Sequence, residues 1–251
     1  MVLETLQKER NNRLGASAEY KLLMQAWFVI CLAIIGTTLI LWGAQAVRSE
    51  FGDFLFLEVL GGIWLVVTRE LFFWLGLSVR DDAVERRNSA AVFALCGAML
   101  AVTLTFAGGN SGEGPSFFEN ILSAALATGI LLGFWLVLEL SARVSVSIAE
   151  ERDLASGLRL GGLLVAVGLM FGRAVAGDWH SVWGTIHDFI RDGWVGVLLL
   201  PVAILIERKF RPGRARPFPN WLLCGLLPAL CYIAFAVICL WRLGPWEGLR
   251  K

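Results

Sequence analysis

Charge is what this sequence has least of. Asp, Glu, Lys and Arg make up 17% of its 251 residues and gather in short clusters between long uncharged runs. That excludes a water-soluble domain, whose surface carries far more charge. Histidine is nearly absent, with two residues, so no zinc centre of several imidazoles is available. The five cysteines, Cys31, Cys96, Cys224, Cys231 and Cys239, all fall inside apolar runs, which argues against a disulfide framework. Cys224 and Cys231 are seven apart and share a helix face, where small apolar packing is the expected role. No nucleophile elbow, HExxH, phosphate loop or Cys/His cluster is present, and the polar segments are too short for a catalytic domain. Neither an enzyme, nor a cofactor, nor a metal is expected.

What is present is apolar: 57% of the residues and a mean hydropathy of +0.68. A backbone in lipid must satisfy its own hydrogen bonds, so such a chain reads as an all-α, polytopic membrane helix bundle. Leu22 to Val47 holds no charge for 26 residues, enough to cross with some tilt. Although Ala44-Gln45-Ala46 looks like a cleavage site, the run is too long for a signal peptide, and an uncleaved anchor is expected. Six further spans are predicted near 54–78, 89–109, 120–142, 158–177, 193–207 and 220–241. The sixth is short, with an uncharged core of 14 residues from Gly193 to Ile206.

The positive-inside rule decides whether that short core crosses. With seven crossings and a cytoplasmic N-terminus, fifteen Lys and Arg residues fall inside and six outside. The largest inside group is the loop ERKFRPGRARP, which would lie outside if the sixth span failed to cross. The segment 107–119, AGGNSGEGPSFFE, reads as an external turn. DWHSVWGTIHDFIRDGW at 178–194 places Trp179, Trp183, Ile186 and Ile190 at helical spacing and reads as an amphipathic helix on the outer interface. Its His180 and His187, with Asp178 and Asp188, are expected to hold no metal.

The chain also repeats itself. RNSAAVFALCG at 87–97 and RDLASGLRLGG at 152–162 share Arg87/Arg152, Ala90/Ala155, Leu95/Leu160 and Gly97/Gly162 at an offset of 65. Val79/Val144, Glu85/Glu150, Ala101/Ala166 and Phe106/Phe171 extend the match. Spans two and three thus correspond to four and five, two hairpins of the same orientation related by an axis along the membrane normal, which is an internal parallel repeat. LCG at 95–97 and 223–225 hints at a third copy. The resulting organisation is residues 1–53 for the N-terminus and first span, 54–112 and 113–178 for the hairpins, and 179–251 for the interfacial helix and last two spans.

Asn88 and Asp153 suit helix N-caps, interchangeably, because either side-chain oxygen accepts from first-turn amides. Gly97 and Gly162, together with the pairs Gly168 and Gly172 and Gly129 and Gly133, are candidate helix-packing positions that let a second backbone approach.

An acidic and basic approach, then Arg87-Asn88-Ser89-Ala90-Ala91, an apolar stretch and Gly97, resembles the YjfL family of bacterial inner-membrane proteins. That family is built from a two-helix domain of unknown function, commonly in tandem. The resemblance covers about residues 54–177, and in the second copy Arg152-Asp153-Leu154-Ala155-Ser156 departs from it. It implies a bacterial plasma (inner) membrane location and a fold, without a reaction.

Arg69 and Glu70 lie within span two, about 22–24 Å from its outer end near Phe54, and a charge there needs a partner or water. Neighbours on a helix point about 100° apart, so the partners are sought on span four, where Glu139 and Arg143 are four residues apart. Arg69 is expected to approach Glu139, and Glu70 to face Arg143 or a polar cavity. Glu58 is expected to be solvated near the outer interface. The four charges form either an inter-helix salt bridge or an ion or proton path. The corresponding functions are a channel or transporter for an ion or small charged solute, or a scaffold or accessory subunit docking another membrane protein. Expected partners are the lipid bilayer, with the basic loop 207–216 drawn to anionic headgroups, and a second copy or another membrane protein; no nucleic acid is expected.

Overall fold

The computed structural model describes residues 2–212 and 220–244, with side chains from residue 17. Residues 213–219 and 245–251, which include Arg214, Arg216, Arg250 and Lys251 of the charge count, lie outside the described residues, as do the side chains of Lys8, Arg10 and Arg13. The described chain is helix and connecting turn, without a strand. Seven helices among these residues are long and apolar enough to cross a membrane, which makes this a multi-pass membrane protein.

The elements are α1 (Val2–Trp42), α2 (Gln45–Ser49), α3 (Phe51–Leu71), α4 (Ser89–Gly109), α5 (Phe117–Ala142), α6 (Leu154–Val175), α7 (Val182–Val197), α8 (Leu199–Phe210) and α9 (Leu227–Leu243). A 3₁₀ turn, Phe72–Leu75, extends α3, and wide π-turns at Val79–Glu85, Val146–Glu150 and Leu222–Leu226 precede α4, α6 and α9.

Helices α1, α4, α6 and α9 form a row of parallel neighbours. Tyr20 pairs with Ser89, and the Trp27 indole donates to the Cys96 carbonyl at 2.9 Å, which fixes α1 on α4. Between α4 and α6 the contact is backbone on backbone: a Cβ at Gly97 would strike Gly161, and one at Gly168 would lie 2.6 Å from Ala101 Cα. Gly162 and Gly225 do the same between α6 and the α9 segment, against Ala229 and Ala155. Without a hydrophobic drive between helices in lipid, such close approach maximises dispersion contact. The returning helices lie against this row, α3 on α1 and α4, α5 on α4 and α6, and α7 with α8 on α5 and α6. Accordingly α4 and α6 are the two most enclosed spans.

The N-terminal turns of α4 and α6 share one capping pattern at the 65-residue offset. Asn88 accepts from Ala90 N and Ala91 N, and Asp153 from Ala155 N and Ser156 N. The amides of Asn88 and Asp153 reach back to the carbonyls of Asp82 and Ser147. Arg87 and Arg152, at φ 50° and 56°, hold the left-handed turn before each cap. The two caps nevertheless differ. Asn88 Nδ2 donates to Ile148 O at 2.6 Å, binding the start of α4 to the turn before α6. Asp153 has no donor for a reciprocal bond, and its carboxylate instead lies 3.8 Å from Arg159.

Two further expectations change. The residues expected as an interfacial helix, 178–194, belong mostly to α7, which continues through a single residue, Leu198, into α8. Exposed Trp183, Ile190, Trp194, Val197, Val202 and Leu205 keep helical spacing across the joint, so one lipid-facing stripe serves both halves. Pro201 cannot donate to the Val197 carbonyl and its ring crowds that group, which bends the helix there instead of ending it. The second change concerns Gly129 and Gly133, where an added Cβ would meet nothing within 4 Å. They pack no helix among the described residues, because the buried stripe of α5 runs through Ala124, Ala127, Leu131 and Trp135.

Candidate functional site

Helix α3 ends where Gly76, at φ 87°, reverses the chain. A side chain there would strike Ser145, with a Cβ only 2.6 Å from its Cβ. The turn that follows swings Val79–Glu85 beside the first described side chains of α1 and leaves a cavity of about 730 Å³ between α1, α3 and the π-turn. Lys21, Gln25, Arg69, Glu70, Arg80 and Glu85 line it, over an apolar floor that includes Met24, Phe28 and Met99. The cavity is amphipathic, with charge at its rim and methyl and ring surface below.

Arg69 and Glu70 therefore face this cavity, and they pair with each other. The Arg69 guanidinium donates to Glu70 Oε1 at 2.9 and 3.2 Å, with 36% and 71% of the two side chains exposed. Adjacent Cβ atoms diverge, but both side chains are long, and at the end of a helix they bend into the same opening. Arg80 and Glu85 make a second rim pair at 3.0 Å, and the Glu85 carboxylate holds the Arg80 guanidinium further above its usual pKa. Lys21 has no ion pair among the described residues. Among the described residues the rim thus offers one cation without an ion pair beside two internally matched pairs.

Glu139 does not meet Arg69. Its carboxylate accepts from Ser145 N at 2.9 Å and from the Ser145 hydroxyl, closing the turn after α5. In that turn Arg143 takes a left-handed conformation, φ 49°, with its side chain exposed. The four charges expected to meet form two separate groups, because Glu139 sits where free amides follow the helix end and these satisfy it locally.

A second cluster escaped the sequence reading. Arg159, Asp153, Ser156 and Glu207 are all buried where α6, α8 and the turn before α9 meet. Arg159 grips Glu207 with two bonds, Nε to Oε1 at 2.6 Å and a terminal nitrogen to Oε2 at 2.8 Å. It also donates to Ser156 Oγ at 2.8 Å and to the Cys224 carbonyl. The Ser156 hydroxyl donates to Asp153 Oδ2 at 2.8 Å. By position along the chain, Arg159 and Glu207 both read as charges bordering a loop. The legible signal was Arg159 lying six residues inside the Asp153 cap, on a stretch otherwise apolar or small. Its chemistry is that of a clasp joining the last two spans to the central pair, since the donors are committed to protein.

Of the other sequence candidates, His180 and His187 are exposed, and no group of three or more metal-binding side chains occurs among the described residues. All five cysteines are free thiols.

No curated protein and no solved structure matches the chain. The stretch 79–175, which takes in the π-turn, α4, α5, the second π-turn and α6, matches an uncharacterised family described as Domain of Unknown Function (DUF350).

Proposed function

We propose that this membrane protein is a small transporter or channel for an ion or small charged solute, loaded at the cavity between α1, α3 and the Val79–Glu85 turn. One observation carries the reading: five charged side chains from three elements, Lys21, Arg69, Glu70, Arg80 and Glu85, converge on one amphipathic cavity. Charges at the end of a spanning helix that served only to hold helices together would be locked in closed pairs between those helices. Arg69 and Glu70 are open and pair within a single helix. The cavity lies at the same end as the Asn88 and Asp153 caps, the end that the distribution of Lys and Arg favours as cytoplasmic; the bacterial inner membrane is what the family resemblance implies. In this reading the helix starts repeated at 65 residues belong to a parallel repeat, and the chain catalyses no reaction.

Flux of protons, potassium and small organic ions into liposomes holding the purified protein tests it. Glu70→Gln, at an exposed position that leaves folding untouched, should change the rate or selectivity at least several-fold. Silent liposomes, together with tight co-purification of another membrane protein, would instead establish a scaffold. The observation favouring that second reading is the open Gly129 and Gly133 face of α5, suited to a partner helix or a second copy.

A further inference from the structure

Glu58 is a carboxylate that neither the cavity nor the clasp uses. It lies on α3 seven residues from the end at Phe51 and four from Phe54, about 6–10 Å along the helix and so in the outer part of a hydrocarbon core of roughly 30 Å. It is half-buried, between Leu55 and Val59, which are exposed toward lipid. Its carboxyl is turned to Gly36 of α1, where an added Cβ would lie 3.1 Å from Oε2. That oxygen is sealed and has no hydrogen-bond partner among the described residues. The helix pair has made room for a carboxyl group without supplying a donor or a cation.

Among the described residues no neighbouring element brings a charged group into contact with it. Between Lys21 and its end at Trp42, α1 has no charged residue, and its one titratable group there, Cys31, is a buried thiol. Helix α4 has no charged residue, and its Cys96 lies against Met24. Arg48 of α2 pairs with Glu113. On α5, Glu119 is bonded to Ser116 and Glu139 to Ser145. On α3 itself Asp53 is five residues away, and Arg69 and Glu70 pair with each other.

We propose that Glu58 is a proton-binding site within the membrane, its carboxyl carrying a proton while α1 and α3 are closed and giving it to water when they part. An ionised carboxylate inside a membrane span with one oxygen sealed and unpaired is disfavoured, and an ionisable group within a span is a candidate for proton movement by default. The position suits the role. Glu58 and Arg69 are eleven residues apart, three turns, and so share one face of α3, which puts the proton site and the cavity on the same α1/α3 seam. The coupling rests on the transport reading above; the proton site itself does not.

Dicyclohexylcarbodiimide, an apolar reagent that adds to protonated carboxyls, tests it on the full-length protein in liposomes, with the modified peptide identified by mass spectrometry. At pH 7, where solvent carboxyls are ionised, Glu58 should be labelled at least tenfold more than Asp53 or Glu50, and no adduct should appear at position 58 in Glu58→Gln. Glu58→Asp should retain part of the labelling, and Gly36→Ala, which crowds the carboxyl, should reduce it. Labelling of Glu58 no greater than that of Glu50 would overturn the proposal. Labelled Glu58 with silent liposomes keeps the proton site and sinks transport; solute flux with unlabelled Glu58 does the reverse.

Discussion

Removing the arginine of the buried clasp alone should cost more than removing it together with Glu207. In Arg159→Met the side chain keeps most of its length and apolar stem, and the loss is the guanidinium with its bonds to Glu207, Ser156 and Cys224 O. Glu207 and Asp153 then share a closed site without a cation, both bridged by Ser156 Oγ, at 3.3 and 2.8 Å. Breaking a buried pair in this way costs about 3–5 kcal/mol. Glu207→Leu is milder, because Arg159 retains Asp153 at 3.8 Å, the Ser156 hydroxyl and the Cys224 carbonyl, and about 1–3 kcal/mol is expected for the bonds left unmade. The double variant Arg159→Met/Glu207→Leu removes the unpaired Glu207 and leaves only Asp153, held by its capping bonds to Ala155 N and Ser156 N, so it lies about 1–2 kcal/mol below the parent and well above Arg159→Met. For a chain of this size each kcal/mol moves the midpoint about 2–4 °C. Thermal unfolding in detergent, followed by the fluorescence of the eleven tryptophans, should therefore fall by roughly 6–20 °C in Arg159→Met and recover in part in the double variant. A double variant as unstable as Arg159→Met, or Glu207→Leu as the worst of the three, would refute the charge argument.

The glycines supply a paired test by the same unfolding assay. Gly168→Ala drives a methyl to 2.6 Å from Ala101 Cα, and parting two helices in backbone contact should cost about 1–3 kcal/mol. Gly129→Ala enters open space and should be neutral or stabilising by up to about 1 kcal/mol, the helix-propensity difference. Equal effects at the two sites would contradict backbone-on-backbone packing of α4 and α6. Asn88→Asp keeps the cap but loses the donor to Ile148 O and buries a carboxylate where Ala94 stands in place of the Arg159 that serves Asp153, so about 1–3 kcal/mol should be lost. An Asn88→Asp chain as stable as the parent would mean that the bond from Asn88 to Ile148 O contributes nothing.

Much of this architecture was readable along the chain. The length of each uncharged run marked the seven apolar helices to within a few residues for most of them, and Asn88 and Asp153 were legible as caps, because span length and capping depend on residues within a turn or two of one another. Glu139 and Arg143 were legible as charges near a helix end, but their assignment to Arg69 and Glu70 assumed that residues equivalent by alignment meet across the bundle. Glu139 found a partner six residues away, in Ser145, and needed no distant one. For α7, polarity at 187–192 hid the continuity of this helix with α8, since Arg191 is matched by Asp188 and Asp192 on the same helix.

By itself the sequence determined that the chain is a helical membrane protein, where most of its spans lie, and how two of them begin, since hydrocarbon thickness and first-turn amides act locally on consecutive residues. Only the tertiary structure decided which faces touch. It set Gly97 and Gly168 against backbone and left Gly129 and Gly133 open, closed Arg159 on a carboxylate 48 residues away, and turned Glu58 into a seam with no partner for its inner oxygen among the described residues. Those outcomes depend on helix rotation and crossing, which are set by the fit of many side chains at once and leave no periodic mark on any one segment.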